Sequence, residues 1–177
     1  LPSDFDETLR ELLAYGSETL QGTTTHPSTM QKEYVFEENS SLEHYTADAY
    51  VVRCTDNRFW GVFRHFIKHL GFKDIDAASP PGGAKVFASP AKEEDREVAL
   101  EKIKLLTPVH RIRRVVLFTH VDCAAYGGSL RFNNDENQEF EFHSSELRKA
   151  ADVVRGRFPD LAVETYFIDQ KGIVKVM

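Results

Sequence analysis

Two short runs, Ala49 to Cys54 and Arg114 to Thr119, are apolar without alternating polar positions. A run apolar on both faces predicts a strand buried in a parallel sheet. After the first run, Phe59, Trp60, Phe63, Phe66, Ile67 and Leu70 recur at helical spacing, and Gly71 follows where a left-handed C-terminal cap is wanted. A weaker strand around Phe72 to Ile75 leads into Ser79-Pro80-Pro81-Gly82-Gly83, whose composition predicts turn or loop, and then a short run at Ala84 to Ala88. Ser89 as N-cap and Pro90 at the first helical position open a helix with Val98, Ala99, Ile103 and Leu106 on one face. Beyond the second strand, the acidic, Asn-rich stretch from Asn133 to Glu141 reads as a loop. Ser144 or Ser145 then caps a helix running to Phe158, and Ala162 to Ile168 reads as a final buried strand. At the other end, Phe5, Leu9, Leu12, Leu13 and Leu20 predict an amphipathic helical arm over about residues 1–20, with loops at Gln21 to Thr29 and Asn39 to Glu43. Strands that alternate with helices predict an α/β fold with a largely parallel central β-sheet flanked by helices, its sites at the carboxyl ends of the strands.

The 177 residues suit a single domain, 1–177, that includes the arm. With 41% apolar and 28% charged residues, the composition is that of a soluble globular protein. A net charge of −6 argues against nucleic acid or anionic membrane as partner and favours a small neutral or polar substrate. No stretch approaches the ~18 apolar residues that span a bilayer, and the opening residues lack the order of a signal peptide. The expectation is a cytoplasmic protein with no membrane attachment. Two cysteines are too few for a disulfide framework and read better as metal ligands or reactive thiols.

Their neighbours favour a metal. Cys54 ends the first buried strand, and His120 with Cys123 follows the second. A catalytic zinc site typically has three protein ligands of this kind and one open position for water. Within Cys54-Thr55-Asp56-Asn57-Arg58, a carboxylate and a guanidinium sit just beyond the thiolate. Two thiolates already cancel the charge of zinc, so its water is acidified less than at a site of three neutral imidazoles, and a nearby acceptor such as Asp56 is useful. A free carboxylate there competes for the open position, and a bidentate pairing with Arg58 holds it off.

These two motifs resemble the β-class carbonic anhydrases, whose pattern is C-x-D-x-R followed by H-x-x-C. The similarity is strongest over Ala49 to Arg58 and Val115 to Gly128, and looser from Phe158-Pro159 to Gly172-Ile173. The resemblance implies that Cys54, His120 and Cys123 bind one zinc ion per chain and that Asp56 and Arg58 form a catalytic dyad. It also implies an α/β sheet assembled as a homodimer or a multiple of dimers. The implied reaction is reversible hydration of carbon dioxide to bicarbonate by zinc-bound hydroxide. Two departures lie near the expected site: Ala124-Ala125-Tyr126 stands where the family commonly has Gly after the second Cys, and Phe87-Ala88-Ser89-Pro90 stands where R-N-A-G is usual. Competing readings are hydrolysis of carbonyl sulfide or carbon disulfide, a non-catalytic zinc-binding regulatory homologue, and a redox dithiol of Cys54 and Cys123.

Other features carry less. His65 and His69 are one helical turn apart but lack a carboxylate to complete a metal set, and the helix reads as structural. Asp122 either orients His120 or faces solvent. His143 reads as a solvated loop histidine rather than a proton relay. Gly82-Gly83 and Gly127-Gly128 read as turns, since no Lys-Ser/Thr pair follows either.

Overall fold

Adjacent parallel strands place their carboxyl ends on one edge of a sheet, and the two apolar runs of this chain do so side by side. The structure, a computed structural model, describes residues 32–176. The helix expected over about residues 1–20 and the loop at Gln21 to Thr29 lie outside the described residues. The chain divides into Leu1–Glu43 and His44–Met177. Residues 32–43 are exposed and carry neither helix nor strand. The described helices and strands all belong to the second unit.

Among the described residues, five strands form one sheet: β1 (Ala49–Val52), β2 (Ile75–Ala78), β3 (Arg114–His120), β4 (Ala162–Ile168) and β5 (Ile173–Lys175). The spatial order is β2-β1-β3-β4-β5. The first four are parallel, with Val52 opposite Leu117 and His120 opposite Ile168, and β5 runs antiparallel to β4. The helices are α1 (Trp60–His69), α2 (Lys85–Ala88), α3 (Glu93–His110) and α4 (Glu136–Arg157). None of these helices is long and apolar enough to cross a membrane.

The period of two along β3 divides the core between the faces of the sheet. Val116 and Phe118 pack with Val51, Tyr166 and Ile168 against Phe63 and Ile67 of α1. Val115 and Leu117 pack with Val52, Val163 and Phe167 against Phe87, Ile103, Leu147, Ala151 and Val154 of the other three helices. Helices thus cover both faces, which is why β1 and β3 show no polar alternation.

Several boundaries differ from the expectations. Ser89 caps the carboxyl end of α2, and α3 begins at Glu93, where Glu93, Glu94 and Asp95 complement the positive end of the helix dipole. The weak strand lies at Ile75–Ala78 rather than Phe72 to Ile75, because it pairs in register with all of β1. The run at Ala84 to Ala88 is mostly helix α2. The stretch from Asn133 to Glu141 is mostly helix: Asp135 accepts from the backbone N–H of Asn137 (2.9 Å) and Gln138 (3.0 Å), so α4 starts at Glu136, well before Ser144. Strand β5 has no counterpart among the expected elements. Asp169 Oδ1 accepts from the N–H groups of Lys171 (2.7 Å) and Gly172 (2.9 Å), closing the turn that brings β5 back along β4.

Candidate metal centre

Cys54 leaves the end of β1 and His120 ends β3, so the parallel pairing of these central strands brings both to one edge of the sheet. Cys123 follows three residues after His120. The ligand atoms of Cys54, His120 and Cys123 lie within 4.8 Å of one another, and all three residues are buried. Tetrahedral zinc with bonds of about 2.0–2.3 Å sets its ligands about 3.4–3.8 Å apart, so shifts of roughly 1 Å complete the site.

The protonation chemistry supports the fit. His120 Nδ1 lies 2.8 Å from the carbonyl oxygen of Val121, which can only accept, so Nδ1 carries the proton and Nε2 presents its lone pair. That Nε2 is buried and has no hydrogen-bond partner, as expected of a group that ligates a metal. The hydrogen bond from Cys123 draws Cys54 well below the ordinary thiol value, whereas the Cys54 thiolate, and then burial, push Cys123 far above it. A cation between them would relieve that conflict.

Gly82 and Gly83, read from sequence as a turn, have a task at this site. The Gly82 N–H donates to Cys54 Sγ at 3.2 Å. Gly83, at φ 59°, lies so close to the ends of β1 and β3 that a Cβ there would be 2.3 Å from the carbonyl oxygen of Phe118 and 2.8 Å from the amide nitrogen of Cys54. Only glycine fits without moving backbone.

Beside the cluster, Asp56 caps the 3-10 turn Asn57–Phe59 by accepting from the Arg58 N–H at 2.9 Å. The Arg58 fork grips the same carboxylate, with Nε at 3.1 and 3.0 Å from its two oxygens and Nη2 at 2.7 Å from Oδ2. Its outer edge reaches Asp122, with Nη1 at 2.9 Å from Oδ2 and Nη2 at 3.0 Å from the carbonyl oxygen. The Arg58 hydrogen bonds lower Asp56 to about 2 and raise Arg58 above its ordinary value. Asp56 Oδ2 remains 4.0 Å from His120 Nε2. Of the two expectations for Asp122 the second holds, since its side chain faces solvent, and there it anchors Arg58; the Val121 carbonyl orients His120.

A cavity of about 10 Å³ adjoins the cluster, lined by the apolar Phe59, Phe63, Phe118 and Ile168 together with Arg53, Cys54, Asp56, Thr119 and His120. It has room for a molecule of about water size. His65 and His69 are exposed on α1 and join no metal-ligating group among the described residues.

The family model described as "Putative carbonic anhydrase" matches residues 45–177. The chain belongs to this carbonic anhydrase family. It is similar to an uncharacterized protein of Rickettsia conorii, 28% identical over 133 residues that span 73% of this chain and 71% of that protein. Among solved structures, a carbonic anhydrase from Glaciozyma antarctica shares the fold, with TM-score 0.53 at 14% identity, covering 100% of this chain and 96% of that one. A tetrameric β-carbonic anhydrase from Sordaria macrospora matches with TM-score 0.49 at 16% identity, covering 74% of this chain and 81% of that one. The resemblance drawn from the two motifs and the α/β fold expected from the strand pattern both stand.

The departures from the carbonic anhydrase pattern are also placed. Ala124–Tyr126 forms a 3-10 turn that buries Tyr126 against Cys54 and Cys123. Phe87 is fully buried under the sheet. His143 is no loop residue: it lies in α4, fully buried, beside Tyr126, Phe132, Phe142 and Phe167. Burial lowers it from 6.5 to about 4. Its neutral form is the one the fold accepts, so its contribution is complete above pH 6.5 and is lost as pH falls towards about 4, where the folded state also takes up the proton. Replacing His143 with Leu is expected to remove a stability loss on the order of 3 kcal/mol across that window, read from urea midpoints at a series of pH values.

Proposed function

We propose that this chain is a zinc-dependent carbonic anhydrase that hydrates carbon dioxide reversibly to bicarbonate, with Cys54, His120 and Cys123 as metal ligands and Asp56 and Arg58 as the catalytic dyad. The observation that carries the reading is the bidentate grip of Arg58 on Asp56, 2.7 Å at its shortest, which keeps a carboxylate off a buried three-ligand cluster. Zinc at this cluster would supply a Lewis acid that lets water lose a proton near neutral pH.

The residues around it divide the remaining work. Held at about 2, Asp56 stays ionised at neutral pH, so Oδ2 orients the reacting water by accepting its hydrogen bond rather than by storing its proton. Arg58 fixes that carboxylate. Phe59, Phe63, Phe118 and Ile168 give the adjoining cavity an apolar wall suited to a small uncharged substrate, with Arg53 and Thr119 also at its boundary. On the same reading the chain works as a homodimer or a multiple of dimers, which light scattering on the purified protein would test.

Stopped-flow carbon dioxide hydration by zinc-loaded protein tests the function. Acceleration above buffer that scales with zinc content is expected. Buffer rates at full zinc occupancy and with the oligomer intact would overturn it, and sulfide release from carbonyl sulfide or carbon disulfide without hydration would move the assignment to a hydrolase.

A further inference from the structure

Glu139 is a carboxylate in the first turns of α4 that is 2% exposed, and no motif points to it. Both of its oxygens are spent on the turn that follows His120. Oε1 accepts from the backbone N–H of Asp122 at 2.7 Å, and Oε2 accepts from the hydroxyl of Ser129 at 2.6 Å. Asp122 Oδ1 in turn accepts from the Ser129 N–H at 3.1 Å, so one buried carboxylate ties together both ends of the 122–129 turn. His143 Nε2 lies 3.9 Å from Oε1, beyond hydrogen-bond reach, and its burial keeps it neutral, so Glu139 is left to the turn.

The consequence lies at Asp122. Its φ of 53° is a left-handed conformation that costs a non-glycine residue roughly 1 kcal/mol and persists where surrounding contacts enforce it. In that conformation both the carbonyl oxygen and the carboxylate of Asp122 face Arg58, at 3.0 and 2.9 Å. Arg58 is itself 54% exposed. An exposed guanidinium keeps one direction only if something anchors its far edge, and Asp122 is that anchor.

We propose that Glu139 is a positioning residue: by holding the backbone of Asp122 it aims Arg58, and through Arg58 it sets the position of the Asp56 carboxylate. The catalytic consequence rests on the carbonic anhydrase reading, whereas the geometric consequence exists in the metal-free protein. Two readouts therefore separate them. In metal-free wild-type protein, the Arg58 Nε–H resonance is expected to be displaced and slow to exchange because of its contacts to both oxygens of Asp56. In Glu139→Ala it moves to the position of a free arginine. Glu139→Gln keeps the wild-type signal, because a Gln amide can still accept from the Asp122 N–H while donating to Ser129 Oγ. Ser129→Ala, which removes one of the two ties, gives an intermediate shift. In zinc-loaded Glu139→Ala, kcat falls about 10–100-fold with KM changed less than about twofold.

A folded Glu139→Ala variant with the wild-type Arg58 signal would overturn the proposal. Should that variant not fold, an unaltered Arg58 signal in Ser129→Ala does the same. Wild-type protein with the displaced Arg58 signal but no hydration activity at full zinc occupancy would remove the functional reading and leave the positioning role standing.

Discussion

Cys123→Ser is expected to leave the chain without metal. The wild-type thiol is 1% exposed and packs with Cys54 and Tyr126, so no water stands ready to replace it as a ligand. A serine hydroxyl does not ionise at neutral pH and is a poor zinc ligand, so the site falls from three protein ligands to two. The fold should tolerate the change. The N–H groups of Tyr126 and Gly128 bond to the Cys123 carbonyl oxygen at 2.9 and 3.0 Å, and a Ser backbone keeps both contacts. The loss of affinity should exceed the ~10–100-fold typical of removing a group that only supports a ligand. After dialysis, metal analysis should find zinc near one ion per wild-type chain and close to none in the variant, with hydration at the buffer rate. Unchanged circular dichroism would assign the effect to the ligand rather than to unfolding. Wild-type zinc content in Cys123→Ser would refute the ligand role.

The sequence and the structure agree where buried strands meet chemistry, and they part where polar side chains do the packing. Strands β1 and β3 are legible because a strand covered on both faces must be apolar throughout, and Cys54 and His120 are legible because one stands two residues beyond β1 and the other ends β3. The amino-terminal half of α4 is hidden for the opposite reason. Its buried positions include Glu139, His143, Ser144 and Glu146, so hydrophobic periodicity is silent over the turns nearest the site. Only Asp135, as an N-cap two residues after Asn133, signals the helix, and the surrounding Asn and Asp residues read equally well as loop. Glu139 and Gly82 escape because their roles are pairings across 17 and 28 residues, which no local spacing encodes. Asp122 illustrates the same limit. Its place inside the metal turn is visible, but its partner Arg58 lies 64 residues away.

Arg58→Ala, in contrast, is expected to keep the metal and lose turnover. None of the three metal ligands changes, so zinc content should match wild type. What disappears is the fork that holds both oxygens of Asp56 and ties it to Asp122. Asp56 Oδ2 stands 4.0 Å from His120 Nε2 even in the gripped state, and a released carboxylate beside a cation moves onto it. The open position closes. Loss of an oriented charged contact of this kind costs about 10²–10³-fold in kcat. Arg58→Lys should recover only part of this, because one ammonium cannot grip a carboxylate through two edges while reaching a second carboxylate and a carbonyl oxygen. The double variant Asp56→Ala/Arg58→Ala separates two causes. If closure by Asp56 is the main loss, removing the carboxylate reopens the site and the double variant outperforms Arg58→Ala in stopped-flow hydration. A double variant no faster than Arg58→Ala but slower than Asp56→Ala alone would show that closure by Asp56 is not the main loss and that Arg58 contributes beyond its grip on that carboxylate.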